Sequence, residues 1–368
     1  MKIKKIIFTG GHQTSAIPVI EELEKYYLGK YKIYWFGHKY ASSINKSVSA
    51  EYKQISLLEI PFYPIYTPKF YKQFIPLSLI KLIFAVFQSI ELLLKIKPSL
   101  IVSFGGYLAV PVVIAAYILR IKILTHEQTV VAGWANKVIG ILANRVLVSW
   151  ESSLKHFSKS KAVLVGIPLS KNIVRSNKIE KLFNNNLTTL FITGGKQGAH
   201  TINETIFNVL PRLLKSHNVI HQTGSHSVYK DLEKFLNLKE SLNTKLKKRY
   251  LVADYFLESE FDKILISSDI VISRSGAHTV YKLLFLRKFG ILIPIPKSSH
   301  NEQMLNAQEL KNSHLGVIIK QKDLTPKTLI KKLEFVKKMS KKNINSLNLP
   351  NNGVQKFVEE IEKLLPKT

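Results

Sequence analysis

A chain of 368 residues exceeds what one hydrophobic core ordinarily organises, so two domains are expected, and 46% hydrophobic with 21% charged residues excludes a disordered polypeptide. The absence of cysteine excludes disulfides, thiolate nucleophiles and cysteine-ligated metals. Fifty-four Lys and Arg against 25 Asp and Glu give a net charge of +29, which suits a polyanionic partner such as an anionic membrane or nucleic acid, although with only 7 arginines the excess also fits an AT-rich coding bias.

In chain order, the apolar run after Lys5 is too short for a secretory signal and enters Thr9-Gly10-Gly11, reading as a strand and turn. Ile17, Val19, Ile20 and Leu23 then keep helical spacing, and Lys32 to Trp35 is the next strand. Phe62 to Leu94 is apolar and aromatic, with Lys69, Lys72 and Lys81 interleaved and Pro61, Pro64 and Pro68 at its start. It reads as an exposed, irregular excursion suited to lie on a bilayer, or alternatively as a loop before an ordinary core helix. Pro98 to Leu119 carries no charge, but Gly105-Gly106 and Pro111 divide it into a strand (Leu100 to Ser103), a turn and a helix, which argues against a membrane span. Ile121 to Leu124 and Val146 to Ser149 complete the strands of a first domain, residues 1–165.

The seam is expected near Val165-Gly166-Ile167-Pro168, and there the pattern begins again. Leu190-Phe-Ile-Thr-Gly194-Gly195 repeats the opening strand and glycine pair, followed by helical spacing at Ile202, Ile206, Val209 and Leu210. Strands are expected at Val219 to Gln222, Lys248 to Val252, Ile270 to Ser273 and Ile291 to Ile295, giving a second domain over residues 166–349. Val354, Phe357, Val358, Ile361, Leu364 and Leu365 mark a closing helix, within 350–368, able to pack on either domain. An opening βα unit written twice predicts an α/β protein of two Rossmann-like, doubly wound domains. Glycine turns before helices let a backbone approach phosphate, yet neither turn is a Walker loop or a clean GxGxxG.

Specific motifs then align in order. Thr9-Gly10-Gly11-His12, Phe104-Gly105-Gly106-Tyr107 and His126-Glu127-Gln128 stand in the first half. Gly194-Gly195-Lys196-Gln197-Gly198-Ala199, His221-Gln222-Thr223-Gly224, Ser273-Arg274-Ser275-Gly276-Ala277 with Thr279, and Gln303 with Asn306-Ala307 stand in the second. The ordered set resembles the bacterial cell-wall enzymes of glycosyltransferase family 28. That resemblance implies the GT-B fold, with two domains facing a central cleft, and inverting transfer of N-acetylglucosamine from UDP-N-acetylglucosamine to the C4 hydroxyl of the muramyl sugar on a polyprenyl diphosphate (lipid I).

The resemblance also distributes roles. His12 and Glu127 are rival candidates for the base, with Tyr107 beside them; Thr9, Gly10, Gly11, Gly105, Gly106 and Thr129 belong to the acceptor side. The donor side takes Gly194, Gly195, Lys196, Gln197, Gly198, Phe256, Arg274, Ser275, Gly276, Ala277, Thr279, Lys282, Gln303 and Asn306. No Asp-x-Asp pair is present, so neither a metal nor another cofactor is expected. The partners implied are the two substrates and an anionic membrane surface, with no nucleic acid, at the cytoplasmic face of the membrane.

Departures from the family pattern begin at the first glycine loop, which lacks its leading glycine pair, and four more follow. Lys282 occupies the place of a glutamate that accepts from both ribose hydroxyls, and an ammonium has no acceptor. Another group, such as Glu302, must then read the ribose, or Lys282 turns to a phosphate, or the donor differs. Thr129 replaces an asparagine, Lys196 a serine, and Leu169-Ser170 a Val-Arg pair. Other readings are a glycolipid glycosyltransferase or sugar-nucleotide epimerase on the same scaffold, and a non-catalytic membrane-bound scaffold.

Overall fold

The structure is a computed structural model, and it describes residues 3–40, 48–67, 75–176, 181–226, 228–298, 301–339 and 349–365. Two compact units divide the chain: residues 1–169 with 350–368, and residues 170–349. The break follows Leu169, just past the Val165–Pro168 stretch.

The first unit alternates strands and helices: β1 (Lys4–Thr9), α1 (Gln13–Tyr26), β2 (Tyr31–Gly37), α2 (Ala50–Ser56), β3 (Phe62–Pro64), α3 (Ile75–Ile96), β4 (Leu100–Ser103) and α4 (Ala109–Ile118). It continues through β5 (Lys122–Glu127), α5 (Trp134–Leu142), β6 (Arg145–Val148) and β7 (Ala162–Leu164). All seven strands are parallel, in the order β3-β2-β1-β4-β5-β6-β7. Ile6, Ile7 and Phe8 are all fully buried because helices cover both faces of the sheet, so the central strands are continuously apolar rather than alternating.

The second unit holds α6 (Lys171–Val174), β8 (Thr188–Thr193), α7 (His200–Leu214), β9 (His217–Gln222), α8 (Asp231–Ser241), α9 (Thr244–Lys247), β10 (Tyr250–Ala253) and α10 (Glu258–Ser267). Then come β11 (Ile270–Ser273), α11 (Ala277–Phe285), β12 (Phe289–Leu292), α12 (Glu302–Asn312), β13 (Gly316–Ile318) and α13 (Pro326–Lys337). Its six parallel strands run β10-β9-β8-β11-β12-β13.

Phe62–Pro64 differs from the irregular excursion expected there. It is the edge strand β3, hydrogen-bonded to β2 on one side only, where a proline without an N–H is tolerated. Lys69 and Lys72 lie outside the described residues, whereas α3 forms over Ile75–Ile96.

The closing helix α14 (Gly353–Leu364) belongs to the first unit and packs on α1. Phe357 stacks on Phe104 at 5.3 Å, and Val358 and Ile361 join the same core. Gly353 meets the chain near Val165 so closely that a Cβ would lie 2.9 Å from the Val165 carbonyl oxygen. Beneath Phe357 lies His126, whose Nε2 is 3.1 Å from the Gly166 carbonyl and 2.9 Å from Ser149 Oγ. Burial lowers the His126 pKa to about 3, so the ring is neutral. Phe357→Ala is expected to cost about 3–5 kcal/mol in urea unfolding of the first unit; a loss below about 0.5 kcal/mol would mean that the helix is not docked.

Candidate functional site

Each sheet reverses its strand order once, between β1 and β4 in the first unit and between β8 and β11 in the second. At such a reversal the loops leaving the two strands diverge and open a crevice at their carboxyl ends. The glycine motifs sit at these points: Gly10-Gly11 follow β1, Gly105-Gly106 follow β4, Gly194-Gly195 follow β8, and Ser275-Gly276 follow β11.

In the first unit the two glycine turns touch. Gly11 N–H donates to the Gly105 carbonyl at 3.2 Å, and a Cβ on Gly10, at φ 121°, would lie 2.8 Å from that carbonyl oxygen. Gly105, at φ 72°, accommodates Asn136, whose Oδ1 would stand 2.2 Å from a Cβ. Asn136 is in turn held by Glu127: its Nδ2 donates to Oε2 at 2.7 Å, with Gly133 N–H 3.3 Å from the same oxygen. The other oxygen, Oε1, accepts from Thr129 N–H at 2.9 Å and lies 2.7 Å from Thr129 Oγ1.

Glu127 is thus buried with donors on both carboxylate oxygens, and burial raises its pKa against the pull of those bonds. This environment differs from the open one expected of a base: Glu127 fixes the 129–133 loop and, through Asn136, the β4 turn. Thr129 is occupied in the same network, its Oγ1 also 2.7 Å from the Val131 carbonyl. His12 contrasts with both. It is the N-cap of α1, partly exposed, and its ring makes no hydrogen bond among the described residues. Desolvation lowers its pKa to about 4, leaving a neutral imidazole with a lone pair at ordinary pH. Tyr107 lies 5.7 Å from the His38 ring, on the same side of the sheet as the β4 turn.

In the second unit Gly198 and Gly224 face each other, a Cβ on Gly224 standing 2.1 Å from Gly198 Cα. The loop between Gly194 and Gly198 is tied down by Thr193 Oγ1, accepting from Gly195 N–H at 3.0 Å, and by Gln222, donating to the Gly195 carbonyl at 3.1 Å. Ser103 Oγ makes the same short bond to Gly105 N–H at 3.1 Å in the first unit, so both units close a glycine turn with the hydroxyl two residues before it. Gln222 also accepts from Phe256 N–H at 3.1 Å, bringing Phe256 to this end of the sheet. Asn306 donates to the Ser275 carbonyl at 3.1 Å while its Oδ1 is buried without a partner, as are Ser273 Oγ and Ser275 Oγ. Gln303 accepts from Ile295 N–H at 3.1 Å and is partly exposed, as is Thr279.

Two basic residues stand differently from the direct donor contacts expected of them. Arg274 points its guanidinium at the Ile293 carbonyl (3.0 Å) and Gln321 Oε1 (2.7 Å), bracing the segment after β12. Lys282 is buried, 2.5 Å from Glu258 Oε1 and 2.6 Å from Asp262 Oδ1. Lys196, on the glycine loop, keeps partial exposure; burial lowers its pKa, Glu258 raises it and Lys282 lowers it further. Motif reading missed Asn136, Glu258 and Asp262, which act through contacts between separate elements, and it placed Gln222 in a motif without giving it a role.

The helices that follow the switch points, α1, α4, α7 and α11, all lack a side-chain cap. Ser49, Ser170, Asn243 and Thr325 cap α2, α6, α9 and α13, while α5, α8, α12 and α14 also lack a side-chain cap, so it is the glycine turn ahead of each helix that sets the switch points apart. First-turn N–H groups that no side chain occupies, behind a glycine turn, are suited to anionic oxygens. Such a pair of doubly wound units, each with glycine turns and uncapped helices at its switch point and one with an array of amide and hydroxyl groups beside it, is the architecture of a nucleotide-sugar enzyme of the GT-B type.

Comparison with known proteins agrees. The glycosyltransferase family 28 N-terminal domain matches residues 6–148 and the family 28 C-terminal domain residues 189–364. The UDP-N-acetylglucosamine--N-acetylmuramyl-(pentapeptide) pyrophosphoryl-undecaprenol N-acetylglucosamine transferase of Clostridium botulinum (strain Hall) is 35% identical, over 98% of this chain and 99% of its own length. The similarly named enzyme of Clostridium perfringens (strain SM101) is 33% identical over 99% of each. Among solved structures, Acinetobacter baumannii MurG superposes with a TM-score of 0.68 at 23% identity, covering 98% of this chain and 99% of that one. The UDP-GlcNAc 2-epimerase of Neisseria meningitidis gives 0.60 at 15% identity, over 98% of this chain and 100% of that one, and shares the fold. The chain belongs to glycosyltransferase family 28.

Glu127→Gln necessarily turns an amide NH2 toward one pair of the donors that now face a carboxylate. It is expected to lower stability by about 1–3 kcal/mol in chemical denaturation. An unchanged unfolding midpoint would show that Glu127 is not the internal anchor described.

Proposed function

We propose that this enzyme transfers N-acetylglucosamine from UDP-N-acetylglucosamine to the C4 hydroxyl of the muramyl sugar of lipid I, inverting to a β bond and producing lipid II for peptidoglycan synthesis. The observation that carries this reading is the uncapped α7 and α11 pair behind the Gly194–Gly198 and Ser275-Gly276 turns. It supplies N–H donors where a departing diphosphate gathers charge, while Gln303 and Asn306 offer amides to sugar hydroxyls. The naming of relatives matched over nearly the full chain supports the same substrates.

His12 is the proposed base. It stands at the first unit's switch point with its ring unengaged, whereas Glu127 is enclosed by donors and positions the turn opposite. Removal of the hydroxyl proton during attack on the anomeric carbon requires the neutral imidazole. Because desolvation has already lowered the His12 pKa to about 4, the active form persists down to that pH and is lost only as pH falls through it. Leaving-group charge is met by backbone N–H groups and Lys196. Among the described residues no group of three or more His, Cys, Asp or Glu side chains is placed to hold a metal ion.

Membrane attachment is proposed through the first unit. The side of α3 away from the sheet carries Ile80, Phe84 and Phe87 at helical spacing, with Phe84 69% and Phe87 65% exposed. Helix α4 packs on α3 and α5 on α4, and they add exposed Tyr117, Ile118, Trp134 and Ile141. No helix among the described residues is long and apolar enough to cross a membrane. The exposed aromatic surface and neighbouring lysines suit the interface of an anionic bilayer on the cytoplasmic face.

The decisive experiment is transfer of labelled N-acetylglucosamine onto a short-chain lipid I analogue. Product is expected, undiminished by EDTA, and His12→Ala is expected to lower kcat by about 10²- to 10⁴-fold. For the wild-type enzyme kcat/KM should show no acid limb from His12 above about pH 5; a limb at pH 6–7 would assign the titration to another group. Phe84→Ser with Phe87→Ser should reduce flotation with anionic liposomes while leaving donor binding unchanged. Equal flotation of variant and wild type would place the membrane contact elsewhere.

A further inference from the structure

Lys282 of α11 joins two carboxylates of α10 that are not equivalent. Asp262 is fully buried, and its second oxygen accepts from Ser170 Oγ. Glu258 is 28% exposed at its side chain, gives Oε1 to Lys282, and has no donor on Oε2 among the described residues. It opens α10 directly after the Tyr255-Phe256-Leu257 stretch, which Gln222 links to the glycine loop through Phe256 N–H and the Gly195 carbonyl. Electrostatic coupling to Lys196 places it near that loop as well.

An ionised carboxylate only accepts hydrogen bonds, so it cannot receive a diphosphate. In a nucleotide sugar the abundant donors are hydroxyls, on the ribose at one end of the diphosphate and on the sugar at the other. The amides suited to the sugar, Gln303 and Asn306, are tied to Ile295 and Ser275 on the β11–β12 side of the crevice. Glu258 is instead held beside the loop leaving β8, and Lys282 fixes one of its oxygens while leaving the other open. We propose that Glu258 is the specificity-determining acceptor for the ribose hydroxyls of the donor nucleotide. The assignment rests on the UDP-sugar reading above and names the residue that reads the nucleotide. In this chain the acceptor function expected at position 282 is met from α10, by a carboxylate that the buried Lys282 holds at the crevice.

Calorimetric titration of the full-length protein with UDP and with 2′-deoxy-UDP tests this. Wild type is expected to prefer UDP by about 10- to 100-fold, and Glu258→Gln to narrow that preference to within about threefold. Asp262→Asn, which removes the other negative charge beside Lys282 at a position with no exposure to ligand, should retain the wild-type ratio. If Glu258→Gln fails to fold, Glu258→Asp keeps the charge but shortens the reach, and should also narrow the ratio. A ratio unchanged in Glu258→Gln or Glu258→Asp, with UDP still bound, overturns the role of Glu258 alone. Wild-type protein that binds neither nucleotide overturns the UDP-sugar reading and this inference with it.

Discussion

The absence of a Cβ at the ends of the central strands is the constraint from which both candidate sites follow. Gly10 against Gly105, and Gly198 against Gly224, bring backbones closer than any side chain permits. That approach draws each turn over the strand end and leaves the next helix starting with N–H groups that no side chain satisfies. A serine or aspartate cap at these helices would stabilise each by about 1 kcal/mol and would occupy the donors an anion needs. At the switch points that stabilisation is forgone, as it is at α5, α8, α12 and α14, but only behind the glycine turns do the free N–H groups face a crevice.

Polar groups around the first crevice divide between those that hold it and those that face it. Glu127, Asn136 and Thr129 form a buried network, and their value lies in fixing the Gly105 turn to which Gly11 bonds. A carboxylate with donors on both oxygens is satisfied, and moving it toward a substrate would strand four donors. His12 has no such attachments. The difference between the two rivals is thus one of hydrogen-bond satisfaction, which neither residue type nor position in a motif specifies.

Legibility in the sequence followed the length and burial of each element. Leu100–Ser103 and Ile270–Ser273 are read to the residue because central parallel strands, buried on both faces, are unbroken apolar runs bounded by turn residues. β3, β7 and β13 escape because each has three residues and lies at a sheet edge, where partial exposure and residues such as Pro64 dilute the pattern. Glycine turns and the Gln303–Asn306 pair are visible as local spacing. Contacts such as Glu258 with Lys282, or Glu127 with Asn136, join separate elements and carry no periodicity by which to find them.

The charge of +29 gains meaning only where individual lysines are placed. Lys282 is a buried cation neutralised by two carboxylates, so it adds no positive field at the crevice. Lys196 remains partly exposed on the glycine loop, where its charge is available to an anion. Substituting a lysine for an acceptor at position 282 would by itself leave a buried ammonium, costing several kcal/mol unless paired. Glu258 and Asp262 remove that penalty, and the exposed oxygen of Glu258 restores an acceptor to the same region. Lys282 and Glu258 therefore act as a pair drawn from two helices, and neither residue's part can be read one position at a time.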